Sequence, residues 1–591
     1  MKLGKHIRLF LNGHRVVIVS FLLNLCMFVL VVSMRDFCFE TNDDRDISNL
    51  LADVYGTGQG KYIPFINLIF CEAVSLLFQA FGTACNWYAV LLITLGFLSL
   101  VKICRILLQR AKSIYFGFVL AVLFLATVYA DYYIQFQFTH YAVLCCSAGC
   151  LELADGFYEE EKLRAGRVLS GILLFVTGSM IRFQAVFFVL PYLGIVWFGR
   201  MLRREGKQSA AEMLCIWRRP LTAVFAAVCL MLGARGFHQY VYAADTALRE
   251  FNAYNQLRVE LLDYGLPDYE TNREEFAALG IAEADMECLN HQIFLDPDVF
   301  SRKAFQALAD KKEQSSSVLQ VRNLSAAGLK KVFTYIRTDF FLHPHWNAML
   351  LLLVVYMLCA GKENVLCLAA GTVFGMACMW YFLSVDRMPY RIWCSVMTPL
   401  LIFGFYFLAR DYGGVNGREK TVIPKALRYY GIVYLSFVLL IQLGRLGADL
   451  RDASADAATD NYEAIISFAD AHPDALILLD RPTVSPLTYH STVGVLEVPT
   501  RGSHRNICYQ GGWICRTPAN LSVLEQYEGG NPYKAIANGE TVYLVDAKSA
   551  DRVLDYIRRH YDAGAEAETA AYIGEAQIPV YRFSCSRSGA E

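Results

Sequence analysis

Long apolar runs alternate with short polar stretches along most of this chain. The first run, Val16–Met34, has about 19 residues without a charge, and at ~1.5 Å per helical residue that length crosses a hydrocarbon core. Together with ten further runs it predicts about eleven membrane-spanning helices. The other runs are Trp87–Val101, Ile114–Ala130, Ile134–Leu151, Val168–Ile181, Phe183–Phe198, Pro220–Leu232, Trp346–Ala360, Val365–Leu383, Ile392–Ala409 and Tyr430–Leu443.

The basic residues predict the orientation of these helices. Basic residues precede the first run and no small-residue cleavage site follows it, which favours an uncleaved helix with a cytoplasmic N-terminus. All later basic loops fall on the cytoplasmic side if Pro64–Gly82 is an interfacial or re-entrant helix and not a span. The two short runs between residues 168 and 198 can also form a hairpin that does not fully cross. The basic loops are Lys102–Lys112, Lys162–Arg167, Arg200–Arg219, Lys362 and Arg410–Arg428.

This topology exports three polar regions: residues 35–62, residues 235–345 and the tail. The long loop is predicted to hold a helix at Asp245–Tyr264 and turns at residues 265–268 and 296–298. After a linker at residues 446–459, residues 460–591 are predicted to form a small extracytoplasmic α/β domain. Its expected helices are Tyr462–His472 and Ala550–Asp562, and its expected strands are Ala475–Asp480, Thr541–Asp546 and Pro579–Phe583.

Composition agrees with an integral membrane protein. The 591 residues are 55% hydrophobic and 18% charged, with a mean hydropathy of +0.34. Because lysine and arginine cluster between apolar runs, nucleic-acid binding is not predicted. Most of the 18 cysteines lie in apolar runs, as small buried hydrophobes do. Cys508 and Cys515 could close a short disulfide, whereas a zinc site is not predicted because no Cys-x-x-Cys pair is present.

An acidic cluster, Asn42-Asp43-Asp44-Arg45-Asp46, follows the first run and is the leading candidate for chemistry. Two carboxylates at the mouth of a membrane protein suggest a general base or a cation site. Adjacent carboxylates also need a cation, strong donors or open water if both are ionised. An exposed acidic loop without function is an equally weighted alternative.

Basic residues at the predicted outer surface suggest an anionic ligand. Lys61 ends a glycine-rich stretch that could cradle a lipid phosphate, or could be a flexible turn with a snorkelling lysine. Arg182 and Arg391 lie at predicted outer helix ends, against the usual charge bias. A guanidinium there can bind a headgroup, a pyrophosphate or a carboxylate. The alternative is a structural salt bridge, such as one between Asp386 and Arg387.

A last set of polar residues, Asp131, Tyr132, Tyr133 and His140, lies near another predicted outer helix end. These side chains could contact a sugar or an acceptor. Interfacial tyrosines and a histidine in helix packing are the alternative that such positions favour. The stretch His343–Trp346 is interpreted as the entry to a helix and not as a metal site.

This arrangement resembles the GT-C superfamily of polytopic membrane glycosyltransferases, which includes protein O-mannosyltransferases and aminoarabinose transferases. The resemblance covers residues 10–445 by architecture; by motif it rests on residues 42–82 and more loosely on 178–192 and 386–391. It implies that Asp43 or Asp44 is the essential acid and that Lys61 lies near a lipid phosphate. Arg182 and Arg391 match more loosely. The usual Asp-Glu or Glu-x-Asp pairing does not occur in this first loop.

The resemblance further implies inverting sugar transfer from a polyprenyl-phosphate donor to a cell-envelope glycan, lipid or protein. The reaction would occur on the outer side of a bacterial plasma membrane. A phosphate leaving group needs no essential metal, although Asp43 and Asp44 could hold Mg²⁺ or Mn²⁺. One alternative is a non-catalytic relative whose membrane part anchors an exported binding or assembly domain. A transporter is the weakest alternative.

Overall fold

The computed structural model describes residues 2–34, 37–111, 113–156, 165–202, 210–312, 324–339, 344–359, 362–411, 461–484, 494–526 and 530–585, with scattered positions between 433 and 444. Most of the predicted span Tyr430–Leu443 and all of the predicted linker at residues 446–459 lie outside these residues. So do most of the predicted basic loop at residues 410–428 and part of each of the loops at 162–167 and 200–219.

Helices dominate the described residues. They are α1 (Lys2–Val32), α2 (Asn42–Leu51), α3 (Leu68–Phe81), α4 (Trp87–Arg110), α5 (Ile114–Tyr133), α6 (Phe138–Gly156), α7 (Ala165–Ile181), α8 (Ala185–Leu202), α9 (Ala210–Ala244), α10 (Thr246–Arg258), α11 (Arg273–Ala278), α12 (Glu283–Asn290), α13 (Arg302–Asp310), α14 (Ala326–Asp339), α15 (Pro344–Cys359), α16 (Lys362–Ser384), α17 (Tyr390–Asp411), α18 (Asn461–Ala471), α19 (Pro518–Leu524), α20 (Pro532–Ala537) and α21 (Ala550–His560). The strands are β1 (Cys38–Phe39), β2 (Gln135–Phe136), β3 (Leu476–Leu479), β4 (Ile507–Tyr509), β5 (Val542–Val545), β6 (Glu566–Ile573) and β7 (Ile578–Ser584).

The chain divides into two compact units. Unit 1 comprises residues 1–37, 91–235 and 322–455, and unit 2 comprises residues 38–90, 236–321 and 456–591. Unit 2 therefore groups the first predicted exported loop, most of the second and the tail.

Among the described residues, six helices are long and apolar enough to cross a membrane, which makes the chain a multi-pass membrane protein. The described residues also contain four shorter apolar helices that could not be counted as spans by length. The predicted count of eleven spans therefore stays a prediction. The six segments are Arg15–Val32, Trp87–Arg110, Ile114–Tyr133, Arg218–Ala244, Asn364–Ser384 and Tyr390–Arg410. The shorter helices are Leu68–Phe81, Ala165–Ile181, Ala185–Gly199 and Pro344–Val354.

Helices overlap both ends of the predicted long loop, whose boundaries stay a prediction. Helix α9 continues to Ala244, about ten residues into the predicted loop. At its other end, α14 is a helix that packs against α16 within unit 1. The predicted helix in the loop is confirmed as α10, with Asp245 as its N-cap accepting a hydrogen bond from the Leu248 N–H.

Helix α6 is buried along its whole length within the protein and carries two acidic residues. Glu152 accepts a hydrogen bond from Arg105, and Asp155 binds both Arg110 and Arg167. Arg105 and Arg110 were predicted to lie in a loop, but they belong to the last turns of α4. Buried carboxylates keep these arginines at the helix ends, because a buried charge needs a partner.

The α6 and α7 backbones in unit 1 approach each other very closely. A Cβ atom on Gly149 would come within 2.6 Å of the Phe175 nitrogen, and one on Gly178 within 2.7 Å of the Ala142 oxygen. Small residues at a helix interface permit such contact in membrane proteins.

Unit 2 contains a five-stranded sheet in the order β4-β3-β5-β7-β6. Strand β3 pairs in parallel with β4 and β5, whereas β7 pairs antiparallel with β5 and β6. The helices and strands predicted for the tail are confirmed to within a few residues, and β4 and β6 were not predicted. Cys508 and Cys515 are buried free thiols, so the disulfide considered for them is not formed.

Two aspartates meet where the parallel strands β3 and β5 end. The Ser549 hydroxyl lies 3.0 Å from Asp480 Oδ1 and 2.9 Å from Asp546 Oδ2. Burial, followed by the negative charge of Asp546, raises the pKa of Asp480 from its ordinary 3.8 to about 6. The Ser549 hydroxyl has one proton, so it can donate to only one of the two carboxylates at a time.

We expect this pair to make unit 2 more stable at pH 5 than at pH 7. A carboxyl whose pKa is raised by folding binds its proton more tightly when folded, so its contribution is lost as the pH rises through about 6. The full difference, reached only below pH 3.8, corresponds to roughly 3 kcal/mol, of which about 2 kcal/mol falls between pH 4.5 and pH 7.5. Thermal unfolding between pH 4.5 and 7.5 measures it, and Asp480→Asn should flatten the slope while the exposed Asp474→Asn keeps it. Parallel slopes in all three proteins would contradict the assignment.

Candidate functional site

The acidic cluster forms the first turn of α2. Asp43 and Asp44 are both in that turn, where backbone N–H groups and the helix dipole stabilise negative charge. Consecutive helical residues point in different directions, whereas residues three or four apart share a face. The structure therefore separates the two carboxylates that looked like a pair in the sequence.

Asp43 lies on the face of α2 that meets the tail. It is half-buried, and its Oδ1 accepts a hydrogen bond of 3.0 Å from Trp513 Nε1. Asp46, three residues further on, is buried and forms an ion pair of 2.6 Å with Arg481. Burial raises the pKa of Asp46 although Arg481 opposes this, and the charge of Asp43 raises it further. Asp43 and Asp46 thus share one electrostatic environment, with Arg481 as its cation.

Asp44 faces another neighbour. It is fully buried, and its Oδ1 accepts a hydrogen bond of 2.9 Å from the Tyr88 hydroxyl. The backbone oxygen of Asp44 accepts from the Ser48 hydroxyl, which in turn accepts from Asn86. These bonds anchor α2 to residues 86–88. Asp43 and Asp44 therefore contact different side chains, Trp513 and Tyr88, and the possible binding of Mg²⁺ or Mn²⁺ by this pair stays a hypothesis.

Lys61 is bound within the protein. Its Nζ lies 3.0 Å from Glu72 Oε2 on α3 and 5.7 Å from the ring centroid of Tyr62. The hydrogen bond to Glu72 raises the pKa of Lys61, so the ammonium stays charged. Helix α3 starts at an Asn67 N-cap and spans 14 residues, or about 21 Å. That length is shorter than a bilayer core.

The glycine-rich stretch before Lys61 is a packed turn. The Gly58 N–H donates to Asp53 Oδ1 at 2.8 Å, and the Gln59 N–H donates to the Thr57 hydroxyl at 3.3 Å. A Cβ atom on Gly60 would come within 1.7 Å of the Leu50 oxygen, so only glycine fits against the end of α2. Close packing thus explains this glycine, independently of any phosphate.

The Lys61 segment also contacts the Asp43 face through aromatic side chains. Phe65, between Lys61 and α3, packs edge-on against Trp513 with a centroid distance of 4.8 Å. Trp513 is the residue that donates to Asp43. Helices α2 and α3 also pack directly against each other. The acidic and basic parts of the predicted site therefore belong to one packed region of unit 2.

Other tail residues contact α2 at Arg45 and Asn49. The Arg45 guanidinium lies 4.0 Å from the ring centroid of Tyr462. The Tyr462 hydroxyl is 2.9 Å from His504 Nε2 and accepts from Asn49 at 3.2 Å. Burial lowers the pKa of His504 to about 3, so this histidine is neutral at physiological pH. Arg481, Trp513, Tyr462 and His504 were missed because no local motif links them to α2, from which they are more than 400 positions distant.

The other predicted site residues belong to unit 1. Among them, Asp131 has contacts with three side chains: those of Tyr390, His345 and His140. Asp131 is fully buried at the end of α5; its Oδ1 accepts a hydrogen bond from the Tyr390 hydroxyl, and its Oδ2 lies 2.9 Å from His345 Nε2. His140 Nδ1 is 3.4 Å from the Asp131 backbone oxygen. His345 lies in the first turn of α15, which confirms the predicted helix entry.

The remaining predicted residues have separate surroundings. Tyr132 donates to Thr398 at 3.2 Å, and Tyr133 packs edge-on against Phe28. Arg182 lies between α7 and α8, with its guanidinium 5.5 Å from the ring centroid of Phe138.

Arg391 is in the first turn of α17, and the nearby Asp386 forms an ion pair with Lys331. No contact among the described residues assigns a ligand to Arg182 or Arg391. Their anion-binding role therefore stays a prediction.

No protein-family model and no curated protein sequence matches this chain. Among solved structures, the chain is similar to ArnT from Cupriavidus metallidurans bound to undecaprenyl phosphate, with 10% identity and a TM-score of 0.47. It is also similar to the same protein in the apo state, with 12% identity and a TM-score of 0.49. Each alignment covers 98% of this chain and 100% of the other. Because both TM-scores are below 0.5, this likeness by itself establishes neither a shared fold nor a shared activity.

Proposed function

We propose that this chain is a membrane glycosyltransferase that moves a sugar from a polyprenyl-phosphate donor to a cell-envelope acceptor on the extracytoplasmic side. The observation that carries the proposal is the half-buried Asp43 at the N-terminus of α2, in contact with Trp513 and near the charges of Asp46 and Arg481. This carboxylate follows a membrane-length helix, and the Lys61 segment packs against the same tryptophan.

Asp43 is the best candidate for the base among the clustered aspartates. Asp44 is buried and receives the Tyr88 hydroxyl, and Asp46 is neutralised by Arg481. Asp43 alone of the three retains exposed surface, and Trp513 fixes the orientation of its carboxylate. A positioned carboxylate with access to the acceptor is what general-base catalysis requires.

The proposed reaction is a single inverting displacement. The acceptor oxygen forms a bond to the anomeric carbon of the sugar while the bond from that carbon to the phosphate oxygen breaks. The acceptor proton passes to Asp43, and the electron pair leaves with the polyprenyl phosphate. Lys61 would stabilise the negative charge that develops on that phosphate. No step in this scheme needs a metal ion.

One set of contacts favours the alternative of a non-catalytic envelope module. Asp44, Asp46 and Lys61 each have a partner within the protein, as members of a structural network do. Such a module would keep its fold and bind envelope components without turnover. The transfer assay described next distinguishes this alternative from the proposed glycosyltransferase.

The direct test reconstitutes the full chain in liposomes and supplies a panel of undecaprenyl-phosphate-linked hexoses and pentoses with envelope acceptors. Wild-type protein should release undecaprenyl phosphate and label an acceptor, and the double variant Asp43→Asn/Asp44→Asn should not. Asp551→Asn is the matched control, because Asp551 is an exposed aspartate in the first turn of α21. Equal transfer by the double variant and the control would reject the proposed site.

Opposite effects are expected for the two partners of the Lys61 ion pair. Lys61→Met should weaken binding of undecaprenyl phosphate by roughly five-fold, the scale of a partly exposed charge. Glu72→Gln should strengthen it, because the lipid phosphate then has no competing carboxylate. Exposed Lys303→Met is the control. Titration of nanodisc-embedded protein measures the affinities, and weakening by both substitutions would mark the ion pair as structural.

A further inference from the structure

Three potential metal-binding side chains of different chemistry converge inside unit 1. Asp131, His140 and Cys394 are all buried, and each offers one ligand atom such that these atoms lie within 4.8 Å of one another. They come from three elements: the end of α5, the first turn of α6 and the interior of α17. Among the described residues, no other group of three such side chains has this geometry.

We propose that Asp131, His140 and Cys394 bind one divalent ion of the zinc class. Thiolate, imidazole and carboxylate together are a ligand set that suits Zn²⁺, and they do not suit Mg²⁺ or Ca²⁺, which prefer oxygen alone. Three protein ligands leave a fourth position open for water or another ligand. This site is independent of the proposed sugar transfer, which uses residues of unit 2.

Charge balance supports an ion at this position. A carboxylate in a buried, apolar environment is costly unless a cation compensates it. A divalent ion bound to one carboxylate, one thiolate and one neutral imidazole gives a site with no net charge. The ion would therefore add to the stabilisation that His345 and Tyr390 already give the Asp131 carboxylate, and it would bind the thiol of Cys394 as a thiolate.

The surrounding contacts orient the ligands as metal sites require. His140 Nδ1 lies 3.4 Å from the Asp131 backbone oxygen, and in the tautomer that donates a hydrogen bond to this oxygen Nε2 would be the metal-binding nitrogen. His345 is 1% exposed, and its Nε2 lies 2.9 Å from Asp131 Oδ2, so it helps to fix the orientation of the Asp131 carboxylate. Tyr390 binds the other carboxylate oxygen. Cys394 also lies 3.5 Å from the Thr398 hydroxyl.

Metal binding requires only a small contraction. Ligand atoms around a tetrahedral zinc ion are about 3.5 Å apart, given bonds of roughly 2.0–2.3 Å. The ligand atoms here lie within 4.8 Å of one another, which exceeds this distance by at most about 1.3 Å. Aromatic rings lie next to the group: the ring centroids of Tyr132 and Tyr390 are 6.5 Å and 5.8 Å from that of His140. Such an apolar shell restricts access of water to a bound ion.

The test measures metal in purified, tag-free full-length protein in nanodiscs, stripped with chelator and reloaded with ZnCl₂. We expect about one zinc ion per wild-type chain, and a loss of most of it in Cys394→Ser and His140→Gln. Cys378→Ser, which removes a half-buried cysteine of α16, should retain it. Zinc that persists equally in all four proteins would be adventitious and would overturn the proposal, as would zinc absent from the wild type.

Cobalt gives a second readout that does not depend on how well the variants fold. Folded wild-type protein loaded with Co²⁺ should show a near-ultraviolet charge-transfer band from thiolate to cobalt, because Cys394 is a proposed ligand. The band should persist in Cys378→Ser. A folded, cobalt-loaded wild type without this band would exclude Cys394 as a ligand and overturn the site.

Discussion

Asp43→Asn is expected to lower the rate of sugar transfer by about 10²- to 10⁴-fold, the range that loss of a general base produces. The asparagine side-chain oxygen can still accept the hydrogen bond from Trp513, so the local geometry should persist. The substitution removes only the capacity to take a proton. Initial rates with a saturating undecaprenyl-phosphate-linked donor measure the change, while donor affinity should stay near the wild-type value.

Two companion variants distinguish catalysis from folding. Asp44→Asn should lower thermal stability by disturbing the contact with Tyr88, and it should keep most of the turnover rate of the protein that remains folded. Asp551→Asn should alter neither property. The assignment of the base to Asp43 would fail if Asp44→Asn abolished turnover in stable protein while Asp43→Asn retained it.

Arg481→Ala should destabilise unit 2 by about 3–5 kcal/mol, because it leaves Asp46 buried without its cation. Burial already raises the pKa of Asp46. Without Arg481 this carboxyl should take up a proton more readily, so the deficit should shrink as the pH falls. Thermal unfolding of the full chain at several pH values measures the effect.

An exposed ion pair in the same unit provides the control. Arg501 is 70% exposed and binds Asp53 at 2.8 Å, so Arg501→Ala should cost at most about 1 kcal/mol. The double variant Asp46→Leu/Arg481→Met should recover much of the stability lost in Arg481→Ala, because it removes both charges together. Similar small losses for Arg481→Ala and Arg501→Ala would show that burial of the Asp46 pair has been overestimated.

The sequence predicts local elements well in this chain. Apolar periodicity locates helices such as α5 and α17, and capping chemistry places the start of α10 at Asp245. Alternation and turn residues locate β3 and β5 in the tail. These signals succeed because each depends on neighbours within a few positions.

Contacts between distant segments limited the prediction of the site. The adjacent residues Asp43 and Asp44 suggested a pair, but the helical rotation of α2 gives them separate partners and groups Asp43 with Asp46. Arg481 and Trp513 complete that face from the other end of the chain, and no spacing rule connects them to it. The three ligands of the proposed metal site are likewise spread over residues 131–394.

Photoaffinity labelling with a polyprenyl-phosphate probe tests the central proposal most directly, because it shows where the donor lipid phosphate binds. The probe carries its reactive group next to the phosphate, and wild-type protein in nanodiscs is labelled with and without excess undecaprenyl phosphate. The proposed site predicts labels on residues 42–72, around Asp43 and Lys61, that the excess lipid suppresses. Suppressible labels confined to other segments, or no suppressible label on folded protein, would contradict it.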